Sequence, residues 1–148
     1  MLFIGRYEHN LDEKSRLMMP TKLRDKLNGT LYMTYGLGRC IYLYTEEMFM
    51  KICNQRSKIN DLSKEGLGFK RVFFSNSVDC KLDNQGRILI SKDLQKRVSI
   101  VKETIIIGND DHIEIWDKNR YEQMELEYLE NYDSYAETLS RRLDYGEE

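Results

Sequence analysis

The chain is short of the residues and runs that mark several protein classes. Its three cysteines, Cys40, Cys53 and Cys80, are odd in number and widely spaced, with no Cys-x-x-Cys, so neither a disulfide framework nor a zinc ribbon is expected. No apolar run approaches the length needed to cross a bilayer. The start offers only Leu2, Phe3 and Ile4 before charge begins, too little for a secretory leader. The formal net charge is only −2, which argues against a general polyanion binder. A reduced, cytoplasmic protein without a membrane segment is the expectation.

What is present is the composition of a globular protein: 148 residues, 41% hydrophobic and 32% charged, with 10 Tyr, 5 Phe and 1 Trp. That is enough to bury a core and too apolar for wholesale disorder. The charge is unevenly placed. Asp117 to Glu148 holds ten acidic and four basic residues, a net of −6, leaving about +4 on residues 1–116. A basic body with an acidic tail suits a locally positive surface, although an acidic surface helix would explain the tail equally well.

The body reads as two copies of one unit. Tyr7, His9 and Leu11 alternate with polar residues, as do Val78, Cys80 and Leu82, giving strands with one apolar face. Each strand runs into an Asp-x-x-x-Arg loop, Asp12 to Arg16 and Asp83 to Arg87, 71 residues apart. Apolar runs Leu17-Met18-Met19 and Ile88-Leu89-Ile90 follow. Two turns of helix come next, from Pro20 with Leu23 and Leu27 on one face, and from Ser91 with Leu94 and Val98. Both turn basic residues outward: Lys22, Arg24 and Lys26, then Lys92, Lys96 and Arg97.

A second strand pair closes each unit, Leu31–Tyr35 with Cys40–Tyr44 and Thr104–Ile107 with His112–Trp116, at an offset of 72. The expected divisions are module one at 5–47, a helical connector at 48–75, module two at 76–119 and a C-terminal helix and tail at 120–148. Thr45 is placed to cap a helix with Glu46 and Glu47 in its first turn and Phe49, Ile52 and Cys53 inward. Beyond Asp117, Tyr121, Met124, Tyr128, Tyr132, Tyr135 and Leu139 form one amphipathic stripe, with residues 144–148 expected to fray. The tyrosine stripe and the Phe49/Ile52 helix face either neighbouring subunits or the chain's own body.

Arginine presents a planar fork of donors that fits phosphate oxygens or the major-groove edge of guanine. Arg16 and Arg87 are therefore candidates for nucleic-acid contact, supported by Lys14, Ser15, Gln85 and Gly86, with Asp12 and Asp83 fixing the turns. On spacing alone, the commoner role for each Asp–Arg pair is to do no more than fasten its own turn, since pairs four residues apart are frequent. A catalytic carboxylate pair needs one raised pKa, and an Arg four residues beyond each Asp favours ionisation of both, so no enzyme is expected. His9 corresponds to Cys80 and Cys40 to His112, but inside strands such residues usually pack, so no metal site or cofactor is assigned.

The stretch Tyr7–Leu17 resembles the first signature loop of the MraZ family. Arg71-Val72-Phe73-Phe74-Ser75 with Val78–Ile88 is similar to its central motif and second loop, and Ile113-Glu114-Ile115-Trp116 to its closing strand. The resemblance implies an α+β fold in which two tandem AbrB-like swapped-hairpin modules form one pseudo-two-fold β-barrel with flanking helices. It also implies a sequence-specific transcriptional regulator, nucleoid-associated, that binds promoter direct repeats in double-stranded DNA at a division and cell-wall gene cluster. The implied assembly is a ring-shaped homo-oligomer. Ser15 stands where the family usually has Gly, Ser91 where it usually has Pro and Ser77 where Ala is common. The other reading is an antitoxin-like or purely structural oligomeric interaction protein, since such barrels serve both roles.

Overall fold

The computed structural model describes residues 2–144, with side chains through Arg142. Apart from Asp144, which ends the last helix, the stretch expected to fray lies outside the described residues. Two units are compact in themselves, residues 1–118 and 119–148.

The first unit holds eight strands: β1 (Phe3–Asn10), β2 (Arg16–Met18), β3 (Leu31–Gly36), β4 (Cys40–Thr45), β5 (Val78–Cys80), β6 (Arg87–Leu89), β7 (Glu103–Asp110) and β8 (His112–Asp117). Helices α1 (Thr21–Arg24), α2 (Glu46–Arg56), α3 (Lys64–Ser75) and α4 (Lys92–Arg97) lie between them. All strand pairs are antiparallel. Six strands form one sheet in the order β1-β7-β8-β4-β3-β5, and β2 with β6 forms a separate ribbon. The fold is α+β.

The pairing exchanges strands between the copies. β1 of the first copy lies on β7 of the second, and β5 of the second lies on β3 of the first. Leu17 pairs with Ile88, its own counterpart, and Tyr42 with Glu114, again its own counterpart. A residue paired with its counterpart sits on a two-fold axis, so the internal pseudo-symmetry passes through both places. Each half keeps only its own hairpin, β3–β4 or β7–β8, and the rest of the sheet and the ribbon are built by pairing between the halves.

The registers correct the uniform offset of 72 expected for the second strand pair. Leu31 lies opposite Cys80 as Thr104 lies opposite His9, so β3 and β7 correspond at 73, while β4 and β8 keep 72. The turns absorb the difference. In the first copy three residues join Gly36 to Cys40, with Gly38 at φ 87 and Arg39 at φ 69; in the second, two residues join Asn109 to His112, with Asp110 at φ 68.

Core residues come largely in corresponding pairs: Leu17 with Ile88, Met19 with Ile90, Leu23 with Leu94, Leu27 with Val98, and Ile41 with Ile113, all buried. Ser91, Ser77 and Ser15 each find local work. Ser91 Oγ accepts from Leu94 N at 3.2 Å and caps α4, whereas Pro20 before α1 makes no side-chain cap. Ser77 Oγ donates to the Phe73 carbonyl at 2.7 Å and lies 2.9 Å from Thr34 Oγ1. Ser15 takes a left-handed φ of 62, matching Gly86 at 81.

Thr45 caps α2 as expected, through Met48 N. The interrupted connector resolves into α2 and a second helix, α3, capped by Ser63 and carrying Gly66, Gly68 and residues 69–74. Phe49 is buried, stacked on Tyr32 with ring centroids 4.3 Å apart and close to Phe73. The Phe49 face of α2 therefore packs on the chain's own sheet.

The second unit comprises most of α5 (Lys118–Glu130) and all of α6 (Tyr132–Asp144). The single stripe expected there is broken at Asn131, whose Nδ2 donates to the Glu127 carbonyl at 2.9 Å and competes with its own backbone N–H, also bonded there. Leu126, Leu129, Tyr132, Tyr135 and Leu139 are exposed.

Candidate nucleic-acid interface

The two Asp-x-x-x-Arg loops have the same geometry. In the first, Asp12 Oδ1 accepts from the backbone N–H of Lys14 and of Arg16, each at 2.9 Å, while Oδ2 accepts from Arg16 Nε at 2.8 Å. In the second, Asp83 does the same for Gln85 and Arg87 at the same distances. Each turn is closed by a backbone bond, Ser15 N to the Asp12 carbonyl and Gly86 N to that of Asp83. The Asp–Arg pairs thus do fasten their own turns. The carboxylates are held ionised: the backbone N–H groups of Arg16 and Arg87 lower both pKa values, desolvation opposes them, and the arginine side chains add to the drop. Neither carboxyl is the proton-holding member that acid/base catalysis would need.

The ribbon brings the loops together. Arg16 pairs with Leu89 and Met18 with Arg87, so these four side chains share one face, while Leu17 and Ile88 turn to the opposite, fully buried face. Arg87 Nη1 lies 3.9 Å from Asp12 Oδ2, linking one loop to the other. The arginine side chains keep 31% and 22% of their surface, enough to meet a ligand without leaving their carboxylates.

Further cations gather around each loop. Exposed Lys14 and Lys92 line a shallow depression of about 290 Å³ with Glu13, Ser15 and Ser91. At the second loop the added cation is Arg24, which the sequence pattern turned outward. Its Nε donates to the Met19 carbonyl at 2.8 Å and its Nη2 reaches Met18 Sδ at 2.9 Å. A Cβ on Gly86 would meet Arg24 Nε at 2.6 Å, so glycine there makes room for the guanidinium. The signal lay in the repeat: Gln95, the counterpart of Arg24, is buried and donates to the Ile90 carbonyl at 2.8 Å. Lys26 is exposed as expected, while its ammonium donates to the Leu2 carbonyl and lies 5.9 Å from the centre of the Phe3 ring. Lys22, Lys92, Lys96 and Arg97 are exposed as expected.

His9 and Cys80 sit opposite Thr104 and Leu31 at the two outer strands of the sheet, so the correspondence between them does not bring them together. His112 instead joins a charged cluster that the sequence did not reveal. Its Nδ1 lies 2.7 Å from Asp111 and its Nε2 2.9 Å from Glu114, a nearly buried carboxylate that also accepts from Asn109 and Trp116. Burial alone would lower the His112 pKa, but the two carboxylates outweigh it and raise the value. Burial would raise Glu114, and its three donors outweigh that and lower it.

Comparison with known proteins matches residues 2–71 and 73–144 to the family described as "MraZ protein, putative antitoxin-like". A protein of Finegoldia magna named transcriptional regulator MraZ is 37% identical over 139 residues, 94% of this chain and 97% of its own. Proteins of the same name from Lactobacillus delbrueckii subsp. bulgaricus and Pediococcus pentosaceus are 39% and 36% identical, over 93% and 98% of this chain and 96% and 99% of theirs.

Proposed function

The chain belongs to the MraZ family, and from that premise we propose that it is a sequence-specific DNA-binding transcriptional regulator whose contacts come from the two Asp-x-x-x-Arg loops. The observation that carries the reading is the exposed face of the β2–β6 ribbon, where Arg16 and Arg87 stand together. Each Asp engages its arginine through Nε, so the guanidinium is fixed in advance and its Nη groups can meet a phosphate or a guanine edge. The fastened turn is then preorganisation, which lowers the ordering cost of binding. Lys14, Lys92 and Arg24 add positive charge beside a cluster whose own charges cancel. Ser15 and Gly86 supply the left-handed corners that let the loops reverse.

The strand exchange supports reading the halves as AbrB-like swapped hairpins, with module one at 5–47, the connector at 48–75, module two at 76–119 and the tail at 120–148. One body offers few cations, and each phosphate contact adds modest, salt-sensitive affinity. A ring of copies would repeat the loop face around its rim and engage direct repeats in a promoter together, multiplying apparent affinity by roughly 10²–10⁴. The target is a division and cell-wall gene cluster, and the protein acts in the cytoplasm on the nucleoid. The test is footprinting on the DNA upstream of its own gene, with an Arg16→Ala, Arg87→Ala double variant checked for assembly by mass photometry. Spaced protection that the assembled double variant fails to give is expected; equal protection by both proteins removes the loops from the mechanism. The family's antitoxin-like description supports a second reading, which co-purification of a stoichiometric small protein partner without footprint activity would favour.

A further inference from the structure

A cleft of about 360 Å³, within the size range of small-molecule sites, opens between the β3–β4 hairpin and helices α2 and α3, away from any role given to the loops. Tyr35, Tyr42 and Tyr44 form one wall and Phe69 and Phe73 another. Arg56, at the end of α2, lies with its guanidinium carbon 5.2 Å from the Phe69 ring centre and 5.6 Å from that of Phe73. Its Nε is buried and has no hydrogen-bond partner among the described residues. Such an orphaned donor calls for an acceptor. Arg39 is a second cation in the lining, and among the described residues no acidic side chain lines the cleft. Burial pushes the Tyr42 phenol up to about 12 and raises that of Tyr44 as well, so both stay neutral hydroxyls.

Two features separate this cleft from ordinary packing. Gly68 lies inside α3, where glycine is disfavoured, yet a Cβ there would meet nothing within 4 Å. The missing side chain leaves the mouth open. The fold also does without part of this lining in its other half, because Tyr35 corresponds to Gly108 and Tyr42 to Glu114. Tyr44 keeps an aromatic counterpart in Trp116, so it is the Tyr35 and Tyr42 part of the wall that belongs to the first copy alone.

We propose that this cleft binds a small molecule consisting of a flat aromatic ring bearing a carboxylate or a phosphate, with the ring against the tyrosine and phenylalanine walls and the acid on Arg56. The inference does not rest on the DNA reading. The experiment is isothermal titration of the full-length assembled protein with indole-3-acetate and with adenosine monophosphate. Indole-3-acetamide and adenosine serve as neutral counterparts. At least one acid should bind saturably and at least tenfold more tightly than its neutral counterpart, and which one binds identifies carboxylate or phosphate as the natural group. Arg56→Met should erase that preference while Arg56→Lys retains part of it. Gly68→Phe should weaken the binding acid at least tenfold, with unchanged circular dichroism and urea midpoint confirming that it folds. Equal binding of acid and neutral forms, a preference that survives Arg56→Met, or no saturable binding of either acid up to about 5 mM, overturns it. So does binding seen only after dilution to separate subunits, since the cleft would then be filled by a second copy of the chain.

Discussion

Exchanging the corner residues of the two loops should have opposite and unequal effects. Ser15 holds φ 62 with only 7% of its surface exposed, a conformation that costs an L-residue roughly 1–2 kcal/mol. Ser15→Gly removes that strain and returns about 0.4–1 kcal/mol as added freedom of the unfolded chain. The net is a gain of about 0.5–1 kcal/mol, or roughly 1–4 °C in Tm for a chain of this size. Gly86→Ser imposes the same strain at φ 81 and drives a Cβ to 2.6 Å from Arg24 Nε, so the guanidinium must leave the Met19 carbonyl. Adding about 1 kcal/mol for that bond, and subtracting about 0.4–1 kcal/mol for the stiffer unfolded chain, gives a loss of about 1–2.5 kcal/mol. Urea unfolding reads both, as midpoint shifts at constant slope. A Ser15→Gly variant that is less stable than the parent, or a Gly86→Ser variant within about 0.5 kcal/mol of it, would refute the reasoning.

The His112 cluster makes stability depend on pH in a set direction. Because the folded pKa of His112 is raised above 6.5, its contribution is complete below that value and is lost as pH rises through the folded value. His112→Gln should flatten this slope in urea midpoints taken from pH 5 to 9. For Asp12 and Asp83 the folded pKa is lowered from 3.8, so their contribution is complete above that value and disappears as acid carries the pH through the folded values, a loss that acid titration followed by circular dichroism should detect. Ile88→Ala and Leu17→Ala, on the two fully buried residues that face each other across the ribbon, should each cost about 2–5 kcal/mol, and the double variant should be non-additive in a double-mutant cycle. Ser91→Ala should cost about 1 kcal/mol by removing the cap on Leu94 N, measured as a fall in Tm.

Much of the architecture was legible because it is written twice. The repeat, the helix faces of Leu23, Leu27, Leu94 and Val98, and the Thr45 and Ser91 caps follow from local periodicity and end chemistry, which act within a few residues. The exchange of β1 and β5 between copies did not, since strand alternation fixes a face and not a partner. The offset of 73 in β3 and β7 was hidden because the two hairpin turns differ by one residue and partly cancel it. At the candidate interface, the Asp and Arg of each loop stood out, but Arg24 did not. A basic residue on a short helix reads as solvated, and only packing over Gly86 turns it back onto the second loop. The Asn131 break was missed because a tyrosine stripe at mixed three- and four-residue spacing conceals a side chain that competes for a helical carbonyl.

The regulator account turns on whether the two arginine forks neutralise DNA charge. Equilibrium binding to the footprinted promoter fragment, measured across salt concentrations for the parent and for the Arg16→Ala, Arg87→Ala protein at equal assembly state, tests this directly. Loss of two phosphate contacts should lower the slope of log affinity against log salt by roughly 1.8 for each engaged subunit, with weaker binding at every salt concentration. The same slope and the same affinity in both proteins would contradict it.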